Sequence, residues 1–284
     1  MSVDHYENFP VASLLLPAQL RSAVAVIYHF ARSADDIADE GDLTDQERLH
    51  QLACYDEELC RIRDGKTTLT AAFARLGDVI RQHKLSIEPF RDLISAFQQD
   101  VSIKRYDNFT DLLDYCSRSA NPVGRIMLEL YNKADPVRLH ASDAICSSLQ
   151  IINFLQDVAI DREKNRIYLP KEDLDAFGIS EQDILDSECS AAWRKMMQFQ
   201  IRRARTMMQE GAWLAKSLPG RIGWELRLVI SGGLRILDKL DAVHGDIYRR
   251  RPVLQKADWL HIIWHSIFKF SYRQPEKQKS VPHQ

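Results

Sequence analysis

An all-α, single-domain helical bundle is the architecture this 284-residue sequence predicts, and three observations carry it. Glycine (11) and proline (10) are both scarcer than the usual ~7% and ~5%, which disfavours turn-rich sandwiches and barrels. Apolar residues recur at helical spacing along most of the chain, and strand-like alternation is confined to short ambiguous runs such as 166–169. No repeat, charge block or Gly/Ser linker divides the sequence, so residues 1–272 read as one domain and 273–284 as a polar, disordered tail.

The elements follow in order. From Pro17 to Asp39, Leu20, Ala23, Val24, Ile27 and Phe30 form one buried stripe. Thr44 with Glu47 makes a capping box, and the helix it opens runs to Gly65, a suitable C-terminal stop. Helices are then predicted over 70–83, 87–103, 110–119, 123–133 and 136–161. The last of these opens on Asp135-Pro136, a cap residue followed by proline at the first helical position. Asn121-Pro122 separates two helices, because proline disfavours the α conformation in the residue before it and lacks an N–H. Beyond Asp161 come a loop over 162–170, short pieces over 171–185, long helices over 191–216 and 221–243, and a final one over 256–270. Gly232-Gly233 reads as a point of close helix packing.

Charge and cysteines narrow the function. Lys and Arg total 38 against 40 Asp and Glu, so no global positive field exists to hold nucleic acid, and any anionic ligand needs a local site. Five scattered cysteines without C-x-x-C spacing argue against disulfides and zinc and for a reducing cytoplasm. No apolar run approaches ~18 residues, which leaves only peripheral contact with the inner membrane face open. Nucleotide loops of the G-x-x-x-x-G-K-[ST] and G-x-G-x-x-G kinds are absent, and Glu47-x-x-His50 lacks the second copy a di-iron bundle requires.

Two carboxylate groups at helical spacing carry the chemistry. Asp35 and Asp39, four apart with Asp36 between them, sit at a helix C-terminus, where acids face the negative end of the dipole and repel each other. A divalent cation removes both penalties; a solvated acidic helix end is the plainer alternative. Asn153, Asp157 and Asp161, again spaced by four, form a polar stripe on a helix otherwise lined by Ile151, Ile152, Phe154, Leu155, Val158 and Ile160. Hard oxygen donors suit Mg²⁺, which shares its coordination shell with waters and substrate phosphates. A hydrogen-bonded seam between helices is the alternative there. Arg32 precedes the first group, and Lys164, Arg166 and Tyr168 follow the second, placed to receive phosphate.

Arg32-Ser-Ala-Asp-Asp-Ile-Ala-Asp39, with Asn153-Phe-Leu-Gln-Asp157-Val-Ala-Ile-Asp161 and Arg166-Ile-Tyr-Leu-Pro170, resembles the squalene/phytoene synthase family from about His5 to Pro252. The resemblance implies an all-α isoprenoid synthase fold with a central apolar cavity and Mg²⁺-dependent ionisation of an isoprenoid diphosphate. It makes Asp35 and Asp39, with Asp36 beside them, and Asn153, Asp157 and Asp161 metal ligands, and Tyr28, Arg32, Arg166 and Tyr168 contacts to the diphosphate, with Lys164 expected to join them. The opening stretch His5–Phe9 falls where relatives close on the phosphates.

Relatives carry Tyr-Cys-x-Tyr in the middle segment, and the inner tyrosine is a proposed proton acceptor in the first condensation. Here Tyr115-Cys-Ser-Arg118 puts an arginine there, and Gln156 replaces the usual arginine before Asp157. With Glu7–Ser13 and Ser119–Arg125, this pattern is similar to the bacterial hydroxysqualene synthase subgroup of hopanoid pathways, in which water captures the cation formed from presqualene diphosphate. Arg118, Asn121 and Gln156 are the expected groups to position that water. Two alternatives stay open: a synthase condensing two prenyl diphosphates, and a non-catalytic helical assembly factor. The expected partners are the isoprenoid diphosphate and neighbouring enzymes of the squalene pathway.

Overall fold

The structure is a computed structural model that describes residues 15–270. The predicted tail and the opening segments His5–Phe9 and Glu7–Ser13 lie outside the described residues. After a 3-10 turn (Ala18–Leu20), the chain forms α1 (Arg21–Asp39), α2 (Asp45–Arg63), α3 (Ala71–His83), α4 (Glu88–Ser102), α5 (Phe109–Ser119), α6 (Asn121–Leu130), α7 (Pro136–Glu163), α8 (Lys171–Phe177), α9 (Glu181–Leu185), α10 (Ala191–Gly211), α11 (Leu214–Ser217), α12 (Gly220–Ala242) and α13 (Lys256–Trp264). No strand occurs among the described residues. The all-α expectation holds.

Local chemistry sets the helix ends. Thr44 and Glu47 close the predicted capping box on α2, the Asp135 side chain accepts from the Arg138 N–H at 3.0 Å to open α7, and Gly65 turns the chain at φ +67°. Pro122 at the start of α6 forces the break from α5 at Ala120. The run 166–169 is extended, not a strand: it lies beside 104–107 through Ile167 N–H to Lys104 O (3.0 Å) and Lys171 N–H to Tyr106 O (2.9 Å). The long helix expected over 191–216 divides into α10 and α11 around Ala212 and Trp213, and the last helix passes into a wider π turn at His265–Lys269.

Two apolar cores form. One joins α1 to α4 and α6 through Val24, Ile27, Leu59, Phe90, Ile94 and Ile126. The other gathers α5, α7, α8, α10 and α12 around Trp193, with Ile145, Ile151, Met208 and Leu237. α7, about 42 Å long at ~1.5 Å per residue, packs most extensively on α10. Gly211 permits that approach: a Cβ there would stand 2.3 Å from the Ala141 carbonyl oxygen, a backbone atom with no room to move. Gly211→Ala is therefore expected to lower stability by about 1–3 kcal/mol, read as a lower urea midpoint at unchanged slope. Gly233 likewise faces Leu149 and Met208, as the predicted close packing requires, whereas Gly232 has space.

Candidate active site

The buried face of α1 carries Val24, Ile27, Ala31, Ala34 and Ala38, which leaves Tyr28, Arg32, Asp35 and Asp39 together on the adjoining stripe. Arg32 gathers the acids of its own helix end: Nη1 lies 3.0 Å from Asp35 Oδ2, and Nη2 lies 2.6 Å from Asp36 Oδ1 and 2.5 Å from Glu40 Oε1. The dipole penalty predicted for acids at this terminus is met from α2. The Arg48 guanidinium, nearly buried, donates to the carbonyls of Ile37 (2.6 Å), Glu40 (3.0 Å), Gly41 (2.8 Å) and Leu43 (3.1 Å), placing positive charge where the helix ends.

On α7, Asn153, Asp157 and Asp161 share one half-buried stripe. After α7 the chain folds back and sends Lys164 and Arg166 across to α1. Lys164 Nζ lies 3.1 Å from Asp39 Oδ2, Arg166 Nη1 donates to the same oxygen at 3.0 Å, and Arg166 Nη2 reaches Asp39 Oδ1. Asp39 is thus the point at which the two acidic groups are joined. Arg251 pairs with Asp157 at 2.5 Å.

The electrostatics divide accordingly. Burial pushes the Asp35 carboxyl up to about 6, helped by the neighbouring charge of Asp39. Burial and Asp157 push Asp161 up to about 7. Burial also opposes ionisation of Asp39, but hydrogen bonds and charge from Arg166 and Lys164 prevail and hold it at about 2. Like charges at close quarters, all presented by oxygen, are a donor set fitted to a hard divalent cation. Among the described residues no three of these side chains converge on a single point, because cationic side chains stand between them.

Beneath the carboxylates lies an aromatic floor. Tyr168 stacks on Phe154 with centroids 3.8 Å apart and planes at 6°, and Tyr106 and Tyr115 complete the group. Arg105 positions this return of the chain by donating to Asn165 O (2.6 Å) and Oδ1 (3.0 Å). Asp100 is buried at the end of α4, accepts from the Tyr115 hydroxyl at 2.9 Å, and offers its carbonyl to Arg166 at 3.3 Å; burial pushes its carboxyl up to about 7. Sequence reasoning missed Arg48, Asp100, Arg105 and Arg251. Asp100 alone left a readable signal, an acid in register with Leu93 and Ala96 on an apolar stripe.

Three expected residues do not join the site. Gln156 is buried and its amide donates to Pro252 O at 2.6 Å, because one position before Asp157 the side chain points to the core side of α7. Arg118 is held by Ser95 Oγ (2.9 Å), Gln99 Oε1 (2.5 Å) and Asp114 Oδ2 (2.6 Å) instead of a carboxylate of either acidic group. The Asn121 carboxamide oxygen accepts from Ser147 at 2.8 Å and braces α6 on α7. A pocket of about 370 Å³ opens between α1, α2 and α3, lined by His29, Phe30, Tyr55 and Phe73; it lies on a different face of α1 from Asp35 and Asp39, so it is not the cavity expected beside the acids.

Fold and site together define an isoprenoid synthase of the all-α kind. The chain belongs to the squalene/phytoene synthase family, whose model matches residues 3–258. It is 35% identical to hydroxysqualene synthase of Rhodopseudomonas palustris, over 82% of this chain and 79% of that protein. To phytoene synthase of Arthrospira platensis it is 30% identical, over 88% and 85%. The crystal structure of squalene synthase HpnC from Alicyclobacillus acidocaldarius superposes with a TM-score of 0.79 at 38% identity, covering 84% of this chain and 90% of that one. The family uses a divalent metal to ionise a diphosphate.

Proposed function

We propose that the chain is a Mg²⁺-dependent hydroxysqualene-forming synthase that acts on presqualene diphosphate from the cytoplasmic side, with residues 1–272 as its single domain. The observation that carries this reading is the junction at Asp39, where cations from the end of α7 meet the acids at the end of α1. Asp35, Asp36 and Asp39 on one side and Asn153, Asp157 and Asp161 on the other would hold Mg²⁺. Bound there, the ion supplies electrostatic stabilisation to the departing diphosphate oxygens.

The chain's own residues do the rest. Arg32, Lys164 and Arg166, with Tyr28 and Tyr168 beside them, bind the diphosphate, and exchange of their carboxylate partners for phosphate oxygens keeps each charge compensated. The C–O bond breaks with its electron pair leaving on diphosphate. The cyclopropylcarbinyl cation rearranges beside the aromatic group, which excludes bulk water. One water then adds through oxygen and releases a proton, so presqualene diphosphate and water become hydroxysqualene and diphosphate, with no reductant consumed. Relatives named hydroxysqualene synthase support this reaction. The five cysteines, all free, support the cytoplasmic placement.

The likeness to a phytoene synthase favours one second reading, a synthase that condenses two prenyl diphosphates. Incubation with presqualene diphosphate and Mg²⁺, beside farnesyl or geranylgeranyl diphosphate alone, separates the two. Hydroxysqualene from the first substrate is the expected result; consumption of the second with phytoene or presqualene diphosphate as product would replace this reading with the other.

A further inference from the structure

The last helix is apolar on the wrong side. Its inner face is fully engaged with α12: Asp258 pairs with Arg235 Nε at 2.8 Å and with Lys239, Ile262 is completely buried, and Ser266 accepts from the Trp224 indole at 3.3 Å. Its outer face nevertheless presents Trp259, Leu260, Ile263 and Trp264, continued by Ile267 and Phe268 in the π turn, with exposures from 40% to 75%. At about 100° per residue these positions cover one continuous arc opposite the anchored one. An apolar arc turned to water on the side away from the protein is a contiguous patch of the kind that marks a docking surface.

Charge identifies the occupant. Residues 247–284 contain eight Lys and Arg against two Asp and Glu, a local net charge of +6 in a chain whose total is −2, which leaves −8 on the preceding 246 residues. Arg249 and Arg250 are exposed just before α13. Two copies of such a surface repel each other, and the sequence of residues 271–284 is polar except for Tyr272, Val281 and two prolines. We infer that α13 docks on an anionic lipid bilayer surface, with Trp259, Leu260, Ile263, Trp264, Ile267 and Phe268 entering the headgroup boundary and the surrounding arginines and lysines meeting lipid phosphates. Tryptophans at the rim of an apolar face suit that depth. No helix among the described residues is long and apolar enough to cross a membrane, so the attachment lies in the interface. Because Asp258 already clamps the helix, the face is presented ready-made instead of folding on contact. This docking holds whichever prenyl diphosphate the enzyme turns over.

The test is co-flotation of the full chain with vesicles of phosphatidylcholine alone or with about one-third phosphatidylglycerol, read together with tryptophan emission. Binding to the anionic vesicles at least about tenfold tighter than to neutral ones, weakened by salt and accompanied by a blue shift, is the expected result. Leu260→Gln with Phe268→Gln, both far out in solvent, should cut that binding about tenfold while the melting curve and turnover of detergent-dispersed substrate stay unchanged. Equal binding to both vesicles, no binding to either, unchanged binding by the double variant, or a stable dimer abolished by it would each overturn the assignment.

Discussion

Asp39→Asn lowers kcat by about 10²–10³ and leaves KM within a few fold, the largest effect on activity expected of any single change in this site. Asparagine keeps the shape of the side chain and one acceptor oxygen, so the fold survives, but it removes the charge that ties the end of α7 to the end of α1 through two cations. Lys164 and Arg166 are then released to the diphosphate in the ground state as well as in the transition state. Binding is preserved or tightened, while the anion that on the proposed reading would hold Mg²⁺ during C–O cleavage is gone. Asp36→Asn is expected to cost less, under about tenfold, because Asp36 is paired with Arg32 at the outer edge of the proposed metal set and receives neither Lys164 nor Arg166. Steady-state kinetics at saturating Mg²⁺, with melting curves on all three proteins, decide the matter. An Asp39→Asn enzyme within threefold of the parent rate would remove Asp39 from the reaction.

The residues that make this site were legible in unequal measure. Asp35, Asp39, Asp157 and Asp161 announced themselves because i, i+4 spacing on a helix is a local property, visible without tertiary structure. Arg166 was legible as a base following an acidic stripe, but its partner was not: the link to Asp39 spans 127 positions and exists only because the segment after α7 is laid beside 104–107. Arg48 was invisible for a related reason, since its partners are backbone carbonyls and carbonyls have no sequence signature. Gln156 and Arg118 show the opposite error. Both are polar, close in sequence to site residues and suited to hold water, yet one position on a helix is a 100° rotation, and that rotation delivers Gln156 to Pro252 and not to the acids. The bundle itself was readable because its helices carry their own caps and stripes. The long segment over 191–216 was overextended, since amphipathic spacing continues through Ala212 and Trp213 while the backbone turns.

The largest effect on stability is expected at an ion pair far from the carboxylates. Asp173 on α8 is buried and receives Arg203 of α10 bidentately, at 2.6 and 3.0 Å, together with the Gln200 amide at 2.8 Å. The guanidinium is sandwiched over Phe109 at 3.9 Å and Phe199 at 4.4 Å. Arg203→Met preserves most of the packing volume but leaves a buried carboxylate with one neutral donor, at a cost of about 3–5 kcal/mol and a melting temperature lower by about 10 °C. Asp173→Leu alone strands the guanidinium instead, and is expected to cost less because Arg203 remains partly open to solvent and keeps its aromatic faces. Replacing both residues should recover most of the loss, since apolar partners of similar size substitute well for a buried pair. The damage in the single Arg203→Met variant extends to function. α8 follows directly on the extended run that carries Arg166 and Tyr168, and Glu172 in its first turn accepts from the Phe109 N–H at 2.7 Å, holding 165–172 against the start of α5. Activity should therefore be lost on heating several degrees before the global melt, and that early loss should vanish in the double variant. Additive melting temperatures across the four proteins would show that the two side chains act independently and that the pair does not hold α8 in place.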